Sequence, residues 1–171
     1  MTSKTALNSI RGLQNREAGK AFEDEIATTL EAYKLLKLAA IDKTPEPMRV
    51  LQSLGKGRFM ACFEGKAQAD FKGTLRGGAA VVFEAKHTST DQMSQDVVTE
   101  AQSRMLTLHT MLGARCYVLV SFGYKKYYRL PWGLWREMKS IFGHKYVTEP
   151  EIEQYRVPVR SGVTDFLGLI K

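Results

Sequence analysis

Two segments, the first a clean polar–apolar alternation and the second with its charged residues on one face, are joined through Arg76-Gly77-Gly78 and predict a β-hairpin in the middle of this 171-residue chain. In the first, Lys66, Gln68, Asp70, Lys72 and Thr74 share one face, and Ala67, Ala69, Phe71, Gly73 and Leu75 share the other. In the second, Val82, Glu84, Lys86 and Thr88 lie opposite Val81, Phe83 and Ala85. A period of two is the mark of a strand with unlike faces. Glycine accepts the positive φ that a tight reversal needs. A turn centred on Gly77 sets Asp70 against Glu84 and Phe71 against Phe83, because each pair lies equally far from the centre. A turn centred between Gly77 and Gly78 would throw the two carboxylates onto opposite faces. The sequence permits both registers.

The residue types on this hairpin need a reason. Asp, Glu and Lys are depleted in strands, and two carboxylates directly opposite each other repel. A hard cation between them removes the repulsion, since Mg²⁺ is held by one or two carboxylates together with water and phosphate oxygens. Such an ion polarises a phosphate and lowers the pKa of a bound water. Lys86, two residues beyond Glu84 on the same face, stands where an ammonium would stabilise phosphate charge or orient the attacking water. This chemistry is metal-dependent phosphodiester hydrolysis, with nucleic acid as the expected substrate. The plainer reading is a solvated sheet face with a Glu–Lys pair, and Glu-x-Lys alone is too short to decide.

The pattern Asp70 … Glu84-x-Lys86 resembles the PD-(D/E)XK nuclease signature, with Ala69 in place of the leading proline. The longer stretches Ala69-Asp70-Phe-Lys-Gly73 and Phe83-Glu84-Ala-Lys86-His-Thr88 resemble the RecU family of Holliday junction resolvases. Gly19-Lys-Ala-Phe22-Glu23 is similar to that family's first helix, and Lys43-Thr44-Pro45-Glu46-Pro47 to the segment that opens its stalk. Gln102 sits where the family has a His-Gln pair, with Glu100 in the place of the histidine. Arg16 is displaced from the family's Asn-Arg-Gly by Glu17 and Ala18. The resemblance implies an α/β, restriction-endonuclease-like core, with a mixed central sheet flanked by helices and a stalk inserted at about 45–65. It implies a homodimeric endonuclease of recombination and repair, dependent on Mg²⁺ with Mn²⁺ able to substitute, that resolves four-way junctions by paired symmetric nicks. Asp70 and Glu84 would then bind metal, Lys86 would be the catalytic lysine, and Glu23 would be a further catalytic carboxylate. Arg16, Arg49, Lys56, Arg58, Lys72, Thr88 and Gln102 would contact nucleic acid. Two other readings stay open: a nuclease of the same fold that cuts linear or branched DNA without junction preference, and a non-catalytic junction- or RNA-binding protein.

Charge agrees with such a partner. The formal net charge is +7, and a basic surface attracts a phosphate backbone. A merely basic protein would have the same charge. Hydrophobic residues make up 44% of the chain, enough for a globular core. Cys62 and Cys116 sit in apolar settings and read as buried free thiols of a reducing compartment. No Cys-x-x-Cys spacing points to zinc. His87, His109 and His144 are scattered, and neither a signal peptide nor a membrane-length apolar run is present, so an intracellular, cytoplasmic setting is expected.

Along the chain, residues 1–14 read as a flexible basic arm, and residues 15–171 as a single nuclease domain. From Glu17 to Leu38 the residues Phe22, Ile26, Leu30, Tyr33 and Leu36 recur at helical spacing. Pro45 and Pro47 break the chain. Residues 48–63 read as a projecting pair of strands or helices whose tip carries Lys56 and Arg58, with Phe59 and Phe63 available to stack on bases. Asp91 to Met111 reads as a helix with a stripe of Val98, Ala101, Met105, Leu108 and Leu112, ended by Gly113. The apolar run Cys116–Phe122 predicts a central strand, and Lys125–Arg129 a basic strand. Trp132–Phe142 predicts an amphipathic helix, and the tail a return segment on the core.

Overall fold

A computed structural model describes residues 3–63, 68–123, 126–160 and 163–170; the expected strand positions Lys66, Ala67 and Lys125 lie outside these. In chain order the elements are α1 (Ser3–Leu35), β1 (Ala39–Lys43), β2 (Met48–Gly55), β3 (Arg58–Phe63), β4 (Phe71–Leu75), β5 (Ala80–Thr88), β6 (Gln92–Ser94), α2 (Glu100–Met111) and β7 (Arg115–Phe122). There follow β8 (Lys126–Pro131), α3 (Trp132–Arg136), α4 (Met138–Phe142), β9 (Tyr146–Thr148), α5 (Glu149–Ile152), β10 (Val159–Arg160) and β11 (Val163–Thr164).

The hairpin of β4 and β5 turns on Gly77. Phe71 pairs with Phe83 and Gly73 with Val81, and Gly77 and Gly78 both take positive φ, at 94° and 88°. The Phe71 and Phe83 rings stack with centroids 4.9 Å apart. This is the register that sets Asp70 against Glu84. The hairpin is the centre of a five-stranded sheet ordered β1-β4-β5-β7-β8. Only β5 and β7 run parallel, and α2 supplies the crossover that a parallel pair requires. The expected mixed α/β architecture is therefore present, with the hairpin of β2 and β3 set apart from the sheet.

Two cores cover the two sheet faces, which is why β7 reads as an unbroken apolar run. One packs Val82, Val118 and Val120 against Leu106, Trp132, Trp135 and Met138. The other packs Phe71, Val81, Phe83 and Leu119 against Phe22, Ile26, Leu30 and Tyr33 of α1. The return segment closes this second core with Val157 and Phe166. Buried Asp165 accepts from the Tyr33 hydroxyl at 2.5 Å and from the backbone of Leu169 and Ile170 at 2.8 and 3.0 Å. The burial of Tyr33 and its bond to Asp165 push the phenol pKa far up, so it remains a donor.

Several expectations are corrected. Helix α1 starts at Ser3, so the segment expected as an arm is helical over residues 3–14. Leu36 is exposed, because the helix has ended before it. Lys37 turns left-handed, with φ 54°, and Arg76 donates to the carbonyls of Leu36 and Lys37. Strand β1 was not foreseen. Helix α2 begins at Glu100, capped by Thr99, since residues 92–94 pair with β9 instead. Its buried residue is Leu106, while Leu108 and Leu112 of the expected stripe are exposed. The helix carries two apolar stripes, and the sheet takes the one that also brings Gln102 inward. The expected helix 132–142 breaks at Glu137. The Gln95 amide donates to the Trp135 and Arg136 carbonyls, which a continuous helix would need for its own bonds. Cys116 is buried but Cys62 is only half-buried; both are free. Among the described residues no helix is long and apolar enough to cross a membrane.

Strand β1 lies so close to β4 that a Cβ on Gly73 would come within 2.1 Å of the Ala40 carbonyl oxygen and 2.5 Å of the Ile41 Cα. Both neighbours are backbone and cannot rotate away. Gly73→Ala is therefore expected to destabilise the protein by about 2–4 kcal/mol. A denaturation midpoint equal to that of the parent would refute this account of the glycine.

Candidate active site

Asp70 stands where β4 begins. Its backbone carbonyl accepts from Thr44, continuing the β1 ladder at 2.8 Å. Its side chain turns the other way, and Oδ2 accepts from the backbone N–H of Ala85 at 2.9 Å. The carboxylate thus takes the place of a ladder partner where the neighbouring strand runs out. Glu84 is fully buried, at 0% exposure. Lys86 Nζ lies 2.9 Å from Glu84 Oε2 and 3.8 Å from Asp70 Oδ2. The Gln102 amide reaches down from α2 and donates to the same Glu84 Oε2 at 2.6 Å. Asp70, Glu84 and Lys86, expected together, are together.

Glu84 Oε1 is buried and has no hydrogen-bond partner among the described residues. An orphaned carboxylate oxygen is costly in a low-dielectric setting. Burial is the main reason the Glu84 carboxyl is pushed up to about 8; Asp70 pushes it further and Lys86 pulls it back. A bound divalent cation would give the orphaned oxygen a partner and reverse the shift. Among the described residues no group of three His, Cys, Asp or Glu side chains converges. A pair is sufficient for Mg²⁺, which keeps several waters and takes only one or two carboxylates. The donor set therefore fits this ion.

The remaining candidates fall in three places. Glu23 is engaged by a residue of β1. It pairs with Lys43 at 2.5 Å, and Lys43 in turn is held charged chiefly by Glu23 and in smaller part by Asp70. One ammonium thus stands electrostatically between Glu23 and Asp70. Lys43 was not singled out for this role; it ends the unforeseen strand β1. Arg16 is exposed on α1, about two turns before Glu23 and so on nearly the same side. Lys72 shares the Glu84 face, pairs across from Val82, and donates to Gln68 at 3.0 Å. Thr88, farther along that face, has its hydroxyl 2.8 Å from that of Thr90. The third place is the β2–β3 hairpin. Its pairing puts Phe59, Ala61, Phe63, Met48 and Val50 on one face. Arg49, Arg58, Met60 and Cys62 lie on the other. Lys56 occupies the tip in left-handed backbone between Gly55 and Gly57. The large apolar side chains are exposed, so this is an amphipathic, basic-tipped projection. Gln102, expected to touch the site or nucleic acid, has its amide on Glu84.

The raised Glu84 pKa has a pH consequence for the metal-free protein. Between the ordinary carboxylate range and about 8 the native state holds a proton that the unfolded chain has released. The corresponding stability is complete at low pH and is lost as pH rises through about 8. Denaturant titrations in chelator from pH 5 to pH 9 are expected to show this fall, flattened by Glu84→Gln. An equal slope in parent and variant would contradict the assignment.

The family described as RecU, Recombination protein U, matches residues 17–171. A solved structure of Archaeoglobus fulgidus Hjc, a Holliday junction resolvase, is similar over 80% of this chain and 88% of that one, with 13% identity and a TM-score of 0.49. No curated protein sequence matches the chain.

Proposed function

The chain belongs to the RecU, or Recombination protein U, family, and from that premise we propose that it is a Mg²⁺-dependent, structure-selective DNA endonuclease that resolves four-way junctions by paired symmetric nicks. The observation that carries the reading is the partnerless, buried oxygen of Glu84 beside a second carboxylate and an ammonium. Mn²⁺ would serve in place of Mg²⁺.

Asp70 and Glu84 hold the ion in this reading. When bound, Mg²⁺ supplies Lewis-acid polarisation of the scissile phosphate and lowers the pKa of a water. The chain's own residues do the rest. Ala85 N–H and Gln102 fix the two carboxylates in place. Lys86 brings a positive charge to the edge of the pair, where negative charge builds on the phosphate during in-line attack. Glu23 acts at one remove, by holding Lys43 near Asp70. The β2–β3 hairpin enters the junction, with Arg49, Lys56 and Arg58 on phosphates and the apolar face toward unstacked bases. Lys72 and Thr88, flanking the carboxylates on the same sheet face, would contact the strand being cut, and Arg16 the flanking duplex. A four-way junction has two-fold symmetry, so a C2 homodimer would place one site on each of two equivalent strands.

Asp70→Asn is expected to abolish Mg²⁺-dependent cleavage of a synthetic mobile four-way junction while leaving its mobility shift intact. The substrate panel should include linear and forked duplexes. Parental cleavage by the variant would sink the metal assignment. Equal cutting of linear DNA by the parent would remove the junction preference and leave a general nuclease. Binding without any product in Mg²⁺ or Mn²⁺ would make the protein a non-catalytic binder.

A further inference from the structure

The amide of Gln102 is held at both ends. Nε2 donates to Glu84 Oε2 at 2.6 Å. Oε1 accepts from the backbone N–H of Thr99 at 3.0 Å and from its hydroxyl at 3.1 Å. Thr99 Oγ1 accepts in turn from the Gln102 backbone N–H at 3.3 Å. The pair is the capping box that opens α2. A capping glutamine ordinarily serves its own helix end. Here its far side also serves a buried carboxylate in the sheet.

The two ends of an amide are chemically opposite. A reversed Gln102 would set its carbonyl oxygen against the ionised Glu84 that binds a cation, acceptor against acceptor. Thr99 prevents this by offering two donors, backbone and hydroxyl, to the oxygen end. With the amide so oriented, Glu84 Oε2 receives both Gln102 and Lys86. Oε1 is then the oxygen left without a partner.

We infer that Thr99 is a positioning residue: acting through Gln102, it fixes the rotation of the Glu84 carboxylate so that Oε1 is the oxygen presented to a divalent cation. The inference rests on the metal-dependent reading above. Outer groups that orient a ligand commonly change metal affinity ten- to a hundred-fold.

Thr99 is exposed at the helix start, so substitution there does not disturb the core. Thr99→Ser keeps both the cap and the hydroxyl donor. Thr99→Asp caps a helix equally well, but its side chain brings only acceptors, which compete with Glu84 for the amide hydrogens. The two variants therefore separate helix capping from amide orientation. Three measurements on the full chain decide: thermal unfolding without metal, the Gln102 side-chain amide resonances without metal, and Mn²⁺ binding by electron paramagnetic resonance.

Thr99→Ser is expected to match the parent in all three. Thr99→Asp is expected to keep the parental Tm, shift the Gln102 resonances, and weaken Mn²⁺ binding about ten-fold or more. In a Gln102→Ala background the same substitution should have no further effect on Mn²⁺, because its route is gone. Parental resonances and parental Mn²⁺ affinity in Thr99→Asp would overturn the inference, as would an undiminished effect in the Gln102→Ala background. A parent that binds no Mn²⁺ would instead overturn the metal-dependent reading, and the inference with it.

Discussion

The stacking of Phe71 on Phe83 is the constraint from which the site follows. These rings sit on the α1 side of the sheet, inside a buried apolar core. Because side chains alternate along a strand, burying that pair forces the next pair, Asp70 and Glu84, to the opposite side. A slip by one residue would part the phenylalanines and set the two carboxylates on opposite faces of the sheet. Two glycines at positive φ make the tight turn possible, and the aromatic pair selects its register. The polar site is thus positioned by apolar packing on the other side of the same two strands.

The same logic explains why so buried a carboxylate is tolerated. Glu84 lies in β5, the middle strand of the five, between β4 and β7. Its neighbours supply one ammonium and one amide, and together they satisfy a single oxygen. The deficit is local and chemically specific. Elsewhere the fold treats a buried carboxylate differently: Asp165 receives three hydrogen bonds on its two oxygens. A structural carboxylate is saturated, and Glu84 is left one partner short.

Much of this was legible in the sequence. The hairpin and the central strand Cys116–Phe122 follow from periodicity and run length, signals that survive without tertiary context, whereas the opposition of Asp70 and Glu84 is one of two registers the sequence permits, and the pairing of Phe71 with Phe83 selects it. Strand β1 was not legible: only Ala39 and Ile41 are buried in it, and two apolar positions beside charged residues do not distinguish a strand from a helix end. The face of α2 was misassigned because its leucines form two stripes, and only the sheet decides between them. The break after Arg136 depends on Gln95, some forty residues earlier in the chain, a contact no local pattern encodes. The pairing of Glu23 with Lys43 and the grip of Gln102 on Glu84 are likewise products of packing.

The knot of Tyr33, Asp165 and Phe166 joins segments 132 residues apart. Until the later segment docks, the phenylalanine pair that sets the hairpin register has one side of its core incompletely roofed. Long-range closures of this kind are slow to form. Assembly of the carboxylate site would then wait on an event at the far side of the sheet, so a partly synthesised or clipped chain would hold its acidic groups in the right order along the polymer without yet holding them in space.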